Sequence, residues 1–213
     1  MALAISTICS ILFCLTIQKC DRDQLLVTIN YYILCLTKQL YLYIGFKMDF
    51  NCIAPTVVFQ EVPNEISLCF SITGCKVGCK GCHSTELWNE NYGMSLSKNN
   101  YLHWLKKYKG LISCVVFFGG EWQPNALIEK LLIARNLGLK TCLYSGEKHI
   151  DINISQHLDF LKTGDWRAEL GGLESVTTNQ IFRDMNTGEK LNHLFIKDPI
   201  NTNLLQGANN VAA

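Results

Sequence analysis

Three cysteines lie on one short segment of the chain, in a Cys-x3-Cys-x2-Cys spacing: Cys75, Cys79 and Cys82. This spacing brings three thiolates onto one loop, where they can bind a single metal centre. Closely spaced cysteines of this kind are known ligands of iron–sulfur clusters. Three protein ligands on a four-iron cluster leave one iron able to bind a small molecule, so the spacing favours an enzyme over a simple electron carrier.

A structural zinc site is the main alternative, with His83 as a possible fourth ligand. Structural zinc sites usually combine two pairs of ligands, and no second Cys-x-x-Cys pair follows this loop in the sequence. Thiols without any metal are the remaining possibility. The motif by itself therefore favours an iron–sulfur cluster and leaves the other two interpretations open.

Each of the two motifs that carry chemistry follows a predicted strand. Residues 65–73 alternate apolar and polar side chains, and Gly74 ends this strand just before the cysteines. Residues 112–118 are apolar apart from Ser113, as in a strand buried on both faces, and Gly-Gly-Glu follows at residues 119–121. Glycines let a ligand approach the backbone, and the carboxylate suits an ammonium group. Alone, these residues fit an ordinary strand-to-helix turn equally well; after the cysteine loop, they favour a ligand site.

Helices and strands alternate along the predicted domain. One helix is predicted over residues 97–109 with Ser97 as its N-cap, and another opens at Pro124. Further strands are predicted at residues 140–145 and 158–162. This alternation predicts a parallel sheet, whose functional loops share the rim at the carboxyl ends of the strands. The second helix has an apolar stripe and a glycine after its end: Leu127, Ile128, Leu131, Leu132 and Gly138.

The cysteine loop and the Gly-Gly-Glu turn together resemble the radical S-adenosylmethionine enzymes. Four further segments are similar to the activating proteins of anaerobic ribonucleoside-triphosphate reductases, and the similarity covers roughly residues 49–198. One departure is that Trp122 follows the Gly-Gly-Glu turn, where proline often stands in the family. The four segments are residues 81–88, 143–146, 158–164 and 177–180.

The resemblance implies a [4Fe-4S] cluster held by the three cysteines, with S-adenosylmethionine bound to the iron that lacks a protein ligand. Reduction would cleave this cofactor and produce a 5′-deoxyadenosyl radical, so no side chain is assigned as a general acid or base. The resemblance assigns cofactor binding to Gly81, His83, Gly119, Gly120 and Glu121.

The fold that the resemblance implies is α/β, an incomplete (β/α) barrel open on one side. The implied activity is generation of a glycyl radical on the large subunit of the anaerobic ribonucleoside-triphosphate reductase, with a flavodoxin or a ferredoxin as electron donor. Two alternatives stay open. One is a radical enzyme acting on a small molecule, like 7-carboxy-7-deazaguanine synthase; the other is a non-catalytic zinc or iron–sulfur binding protein.

Length and composition narrow the class of protein. The chain has 213 residues and a net charge of +1 without a basic run, so nucleic-acid binding is not expected. Eleven cysteines would suit a secreted disulfide protein. However, Cys69, Cys114 and Cys142 lie in apolar, strand-like runs, where free thiols pack as small apolar groups. We therefore expect a cytoplasmic protein.

The first 47 residues differ in character from the rest, because two apolar stretches flank a charged segment at residues 19–23. Residues 1–17 are shorter than the ~20 residues that span a bilayer, and no signal-peptide cleavage pattern stands out. We predict an extension over residues 1–47 that is loosely attached or not part of the mature protein; a membrane-associated segment is the alternative. A domain follows over residues 48–200, and a flexible tail over residues 201–213.

Overall fold

The computed structural model describes residues 49–196. The predicted N-terminal extension and the predicted tail lie outside these residues, so both stay predictions, as do the domain boundaries. Within residues 49–196, no helix combines the length and the apolar character needed to cross a membrane.

A mixed six-stranded sheet forms the centre of the described domain, and a separate two-stranded ladder joins Asn51–Cys52 (β1) to Met94–Ser95 (β4). The four central strands of the large sheet are parallel, and each edge strand is antiparallel to its neighbour. In order across the sheet, the strands are Thr56–Val58 (β2), Ser67–Ser71 (β3), Cys114–Phe118 (β5), Lys140–Tyr144 (β6), Phe160–Thr163 (β7) and Ile181–Asp184 (β8).

The predicted α/β class and the predicted parallel strands are confirmed. Over the described residues the sheet is open, with β2 and β8 as its two edges and no closed barrel. The incomplete barrel that the resemblance implies stays a prediction. The edge strand β8 was not predicted, because its four residues Ile-Phe-Arg-Asp are too few to show a clear alternation of apolar and polar side chains.

The helices that connect the strands in the described part of the chain are Lys98–Lys107 (α1), Pro124–Asn136 (α2) and Ile152–Ser155 (α3). The predicted starts of the first two, at the Ser97 cap and at Pro124, are confirmed, whereas α1 ends at Lys107 and not at residue 109. The Ser97 hydroxyl accepts a hydrogen bond from the Asn100 N–H at 3.2 Å, which satisfies one free donor of the first turn of α1. Gly138, with a φ of +76°, follows the end of α2.

The helices all contribute buried residues to the core on one face of the sheet. The other face carries a second apolar core, which loops and the short 3₁₀ turn Asn192–Phe195 cover. None of the three helices packs on this second face. It is called the uncovered face below in that sense, since only loops and the 3₁₀ turn lie over it. Along α2, Leu127 and Leu131 are buried as predicted, whereas the prediction for Leu132 was wrong, since that side chain is 41% exposed.

The cysteines of the central strands pack as predicted. Cys69, Cys114 and Cys142 are free thiols, all buried in the core of the uncovered face. Burial raises the pKa of Cys69 and of Cys114 to about 12, so both stay protonated at neutral pH. A buried, protonated thiol behaves as a small apolar group, which separates these cysteines chemically from those of the loop.

Replacing Tyr101 by Phe should leave the fold intact and raise the free energy of unfolding by about 1 kcal/mol. The Tyr101 ring is fully buried against Phe70, with ring centroids 5.1 Å apart, and its hydroxyl has no hydrogen-bond partner among the described residues. Urea denaturation at neutral pH measures the difference. Tyr101→Ala, which also removes the ring, should cost about 3–5 kcal/mol. A Tyr101→Phe variant that is clearly less stable than the parent would contradict this account.

Candidate metal centre

The three cysteines lie on the loop that follows β3, and each is half-buried. The backbone holds the start of this loop, because the N–H groups of Gly74 and Cys75 both donate to the Leu87 carbonyl, at 2.7 and 3.0 Å. The Cys82 N–H donates to the Cys79 carbonyl at 3.2 Å, which closes a turn between the second and third cysteines. The loop therefore has a defined backbone path and leaves its thiols accessible.

The thiols of the loop influence one another's ionisation. Burial raises the pKa of Cys75, a hydrogen bond from the Val77 backbone lowers it, and the negative charges of Glu121, Cys79 and Cys82 raise it further. Several groups that become anionic thus lie near one another. A bound cationic centre would stabilise the thiolates, since a metal deprotonates the thiols that coordinate it. The chemistry of the donor set therefore fits an iron–sulfur cluster.

The zinc hypothesis places His83 beside the three cysteines as a fourth ligand. Among residues 49–196, no group of three or more His, Cys, Asp or Glu side chains is close enough together to hold one metal ion. The His83 ring, the fourth ligand in the zinc hypothesis, packs against the Trp166 indole with centroids 4.8 Å apart. An iron–sulfur cluster does not need convergence on one ion, because each thiolate binds a different iron.

The predicted Gly-Gly-Glu turn follows β5, and its glycines adopt backbone angles that other residues rarely take. The φ of Gly119 is +83° and that of Gly120 is +106°. A Cβ on Gly119 would lie 2.5 Å from the Trp122 ring, so no larger residue fits there without displacing the indole. Both positions therefore favour glycine, while the approach of a ligand to this backbone stays a prediction.

Glu121 presents one carboxylate oxygen without a partner. Its Oε1 accepts a hydrogen bond from the Ser145 hydroxyl, whereas Oε2 is shielded from solvent and has no partner among the described residues. Burial raises the pKa of Glu121, and the Ser145 hydrogen bond partly opposes this. A buried acceptor with a negative charge and no donor calls for a cation, and an ammonium group fits.

Lys162 is a site residue that was not predicted from the sequence. It is buried at the carboxyl end of β7, and its ammonium donates to the Gly164 carbonyl at 2.7 Å. Burial lowers its pKa to about 8, while the charges of Cys79, Asp165 and Glu121 raise it. The sequence pattern did not distinguish it, because the predicted strand at residues 158–162 also carries Asp159.

The loops after the four parallel strands lie side by side, as predicted. At the carboxyl ends of these strands, one row of paired residues crosses the sheet, and it consists of Ser71, Phe118, Tyr144 and Lys162. The loops follow this row. A Cβ on Gly146 would lie 3.0 Å from Val77, so the loop after β6 contacts the cysteine loop. Gly81 and His83 are exposed, and no hydrogen bond of the described residues joins them to the Gly-Gly-Glu turn.

Asn179 and Gln180 gain a structural role. The Asn179 amide donates to the backbone carbonyl and to the carboxylate of Asp165, at 3.1 and 3.0 Å. The Gln180 carbonyl accepts from the Asn192 amide at 2.9 Å. These contacts hold the loop after β7 against the approach to β8 and so fix the rim beside Lys162.

A cavity of about 870 Å³ opens on the uncovered face of the sheet. Its wall is largely aromatic and apolar, and it reaches the rim at Tyr144, whose ring contacts Phe118 on the neighbouring strand with centroids 4.8 Å apart. Other side chains of the wall include Phe59, Trp166, Leu173 and Phe195.

Comparison with known proteins supports the iron–sulfur interpretation. A family model described as a 4Fe-4S single cluster domain matches residues 66–170, a range that contains all three cysteines of the loop and the Gly-Gly-Glu turn. This domain is found in radical S-adenosylmethionine-type proteins. No curated protein matches the chain. The chain therefore contains a 4Fe-4S cluster-binding domain, while the individual ligands and the cofactor-binding residues stay predictions.

Replacing Cys79 by Ala should prevent assembly of a complete cluster, because one iron loses its thiolate. We expect most of the iron and sulfide to be lost after anaerobic reconstitution, measured by iron and sulfide analysis and visible absorption. Cys69→Ala is the matched control: this thiol is buried in β3, outside the loop, so the variant should reconstitute fully. A full four-iron complement in Cys79→Ala would show that the ligand assignment is wrong.

Replacing Glu121 by Gln should stabilise the cluster-free protein at pH 7. Burial raises the pKa of Glu121 above its ordinary value of 4.5, so the folded state disfavours the charged carboxylate. Stability is therefore lost as the pH rises from 4.5 through the raised pKa. Below 4.5 the carboxyl is protonated in the folded and unfolded states, and the penalty disappears.

Urea denaturation between pH 4.5 and 7 tests this sign. The difference between Glu121→Gln and the parent should shrink as the pH falls, and the exposed Glu189→Gln, on the turn after β8, should show no such trend. A constant difference across this range, or a less stable Glu121→Gln at pH 7, would contradict the assignment.

Proposed function

We propose that this chain is a radical S-adenosylmethionine activating enzyme that generates a glycyl radical on the large subunit of an anaerobic ribonucleoside-triphosphate reductase. The observation that carries the proposal is the unpartnered Oε2 of Glu121, on the same rim as the cysteine loop of a 4Fe-4S domain. Cluster ligands alone would fit an electron carrier. A buried carboxylate next to them, without a donor of its own, supports a second, cationic cofactor.

When bound, the cluster and S-adenosylmethionine would supply reductive cleavage of the sulfonium, with one electron from a flavodoxin or a ferredoxin, and removal of a hydrogen atom from a glycine of the reductase, giving methionine and 5′-deoxyadenosine. The protein provides binding, orientation and exclusion of water.

The residues of the rim suit the charged groups of S-adenosylmethionine. Glu121 would bind the methionine ammonium, and Gly119 and Gly120 would let the methionine approach the backbone, since neither carries a Cβ. Lys162 would offset the negative charge of the thiolates and of the cofactor carboxylate, because its ammonium already lies in the field of Cys79 and Glu121. The exposed Gly81 and His83 would lie beside the adenosyl part, on the loop itself.

We propose that a large partner approaches from the uncovered face. The cavity there is bounded by aromatic side chains and leads to the rim at Tyr144, so an extended glycine-containing segment of the reductase could reach the site from this side. Exposed basic side chains on and beside the cysteine loop, Lys76, Lys80 and Lys148, suit an acidic electron donor.

One observation favours a second candidate function. A volume of about 870 Å³ lies in the range of small-molecule sites, so the cavity also suits a radical enzyme whose substrate is a small molecule. In an activating enzyme the glycine-containing segment of the partner would enter this cavity, whereas in a small-molecule enzyme the substrate would occupy it. Addition of the reductase separates the two, because only an activating enzyme produces a glycyl radical on that chain.

The decisive measurement uses the full chain, reconstituted anaerobically with iron and sulfide, reduced with dithionite and given S-adenosylmethionine. We expect 5′-deoxyadenosine and methionine in equal amounts, and a glycyl-radical signal in electron paramagnetic resonance once the reductase is added. Glu121→Gln should lower kcat/KM for S-adenosylmethionine about 10- to 100-fold, because a charged hydrogen bond is worth about 1.5–3 kcal/mol. The exposed Glu189→Gln should behave as the parent.

Two results would contradict the proposal. A protein with an intact four-iron cluster that cleaves no S-adenosylmethionine, with or without the reductase, would be a non-catalytic iron–sulfur protein. Binding of zinc in place of iron under the same conditions would remove the basis for the activity altogether.

A further inference from the structure

Trp122 joins the two halves of the proposed site. Its six-membered ring lies over Gly119, where a Cβ would come within 2.5 Å of Cη2. The other end of the indole reaches Gly74, where a Cβ would lie 3.1 Å from Nε1. Gly74 immediately precedes Cys75, so one rigid side chain spans from the Gly-Gly-Glu turn to the start of the cysteine loop.

The indole N–H finds no hydrogen-bond acceptor among the described residues. Trp122 Nε1 is shielded from solvent and has no hydrogen-bond partner there. A buried donor without an acceptor costs about 1–3 kcal/mol. Packing alone does not explain this residue, because phenylalanine would fill much of the same space without burying an unused donor.

The neighbours of the indole are sites for anions. Trp122 directly follows the Glu121 carboxylate in the chain, and its Nε1 lies next to Gly74, the residue before Cys75. In the loaded site, the acceptors beside these residues would be sulfur atoms of the cluster and its thiolates, or the carboxylate of the bound amino-acid group. Both are anionic acceptors for a neutral N–H donor.

We propose that Trp122 is a positioning residue, which holds the Gly119–Glu121 turn against the cysteine loop and donates its indole N–H to an anionic acceptor of the loaded site. This inference rests on the proposed function in naming S-adenosylmethionine as one source of that acceptor. The cluster sulfur is the other source, and it depends only on the 4Fe-4S domain.

Trp122→Phe removes the N–H donor and keeps an aromatic ring, so it tests the hydrogen bond separately from the packing. In the cluster-free protein it should be as stable as the parent or more stable in urea denaturation, because the unused donor is gone. In the reconstituted protein, loss of one hydrogen bond should change an equilibrium constant about two- to tenfold. If the acceptor is a cluster sulfur, the reduction potential without S-adenosylmethionine falls by about 20–60 mV, since tenfold is 59 mV for one electron.

If the acceptor is the cofactor carboxylate, the potential stays unchanged and the Kd for S-adenosylmethionine rises two- to tenfold, measured by equilibrium binding to the oxidised cluster. Trp104→Phe is the matched control, because that half-buried indole of α1 stacks on Tyr108, the residue after the helix. It should alter neither quantity.

The proposal is overturned if Trp122→Phe matches the parent in both potential and Kd, since Trp122 would then only fill space. It is also overturned if Trp104→Phe shifts them equally. If the parent itself binds no S-adenosylmethionine, the proposed function fails, but the potential measurement still decides whether Trp122 donates to the cluster. Trp122→Ala, which removes the spacer as well, should broaden the electron paramagnetic resonance signal of the reduced cluster beyond the change seen with Phe.

Discussion

The in-register pairing of four parallel strands is the constraint on which every candidate site residue depends. Ser71 pairs with Phe118, Phe118 with Tyr144, and Tyr144 with Lys162. The four strands therefore end at about the same level of the sheet. The hydrogen bonds of the ladder thereby bring together loops that are distant in sequence. A shift of one residue in β5 would turn Phe118 to the helix-covered face and move Glu121 away from Ser145.

The charges at this rim are the second organising feature. Glu121, the loop thiols and Lys162 are all wholly or partly withdrawn from water, and each alters the pKa of another. In a closed core such a group of residues would be a liability. Here the unbalanced charge lies at the rim where we propose that a cationic cofactor binds, which is the reason to regard this rim, and not the cavity, as the chemical centre.

Much of this arrangement could be predicted from the sequence. The strand before Gly74, the buried strand before Gly119 and the cap at Ser97 follow from local patterns of side chains, and the structure has all three. The roles of Ser145, Lys162 and Trp122 could not be predicted in this way. They arise from contacts between loops far apart in sequence, and no local pattern encodes which loop will supply a hydroxyl to Glu121. The 3₁₀ turn Asn192–Phe195 and the short strand β8 were missed for the same reason, because their burial comes from the uncovered face and not from their own periodicity.

The unpartnered oxygen of Glu121 also has a bearing on how long the protein persists. A molecule that binds the folded state alone lowers the population of unfolded chains in proportion to its concentration over its Kd. The empty site retains its uncompensated charge, so empty molecules open more often and are cut by proteases sooner than loaded ones. The amount of this protein in a cell would then rise with the supply of the cation that occupies this site.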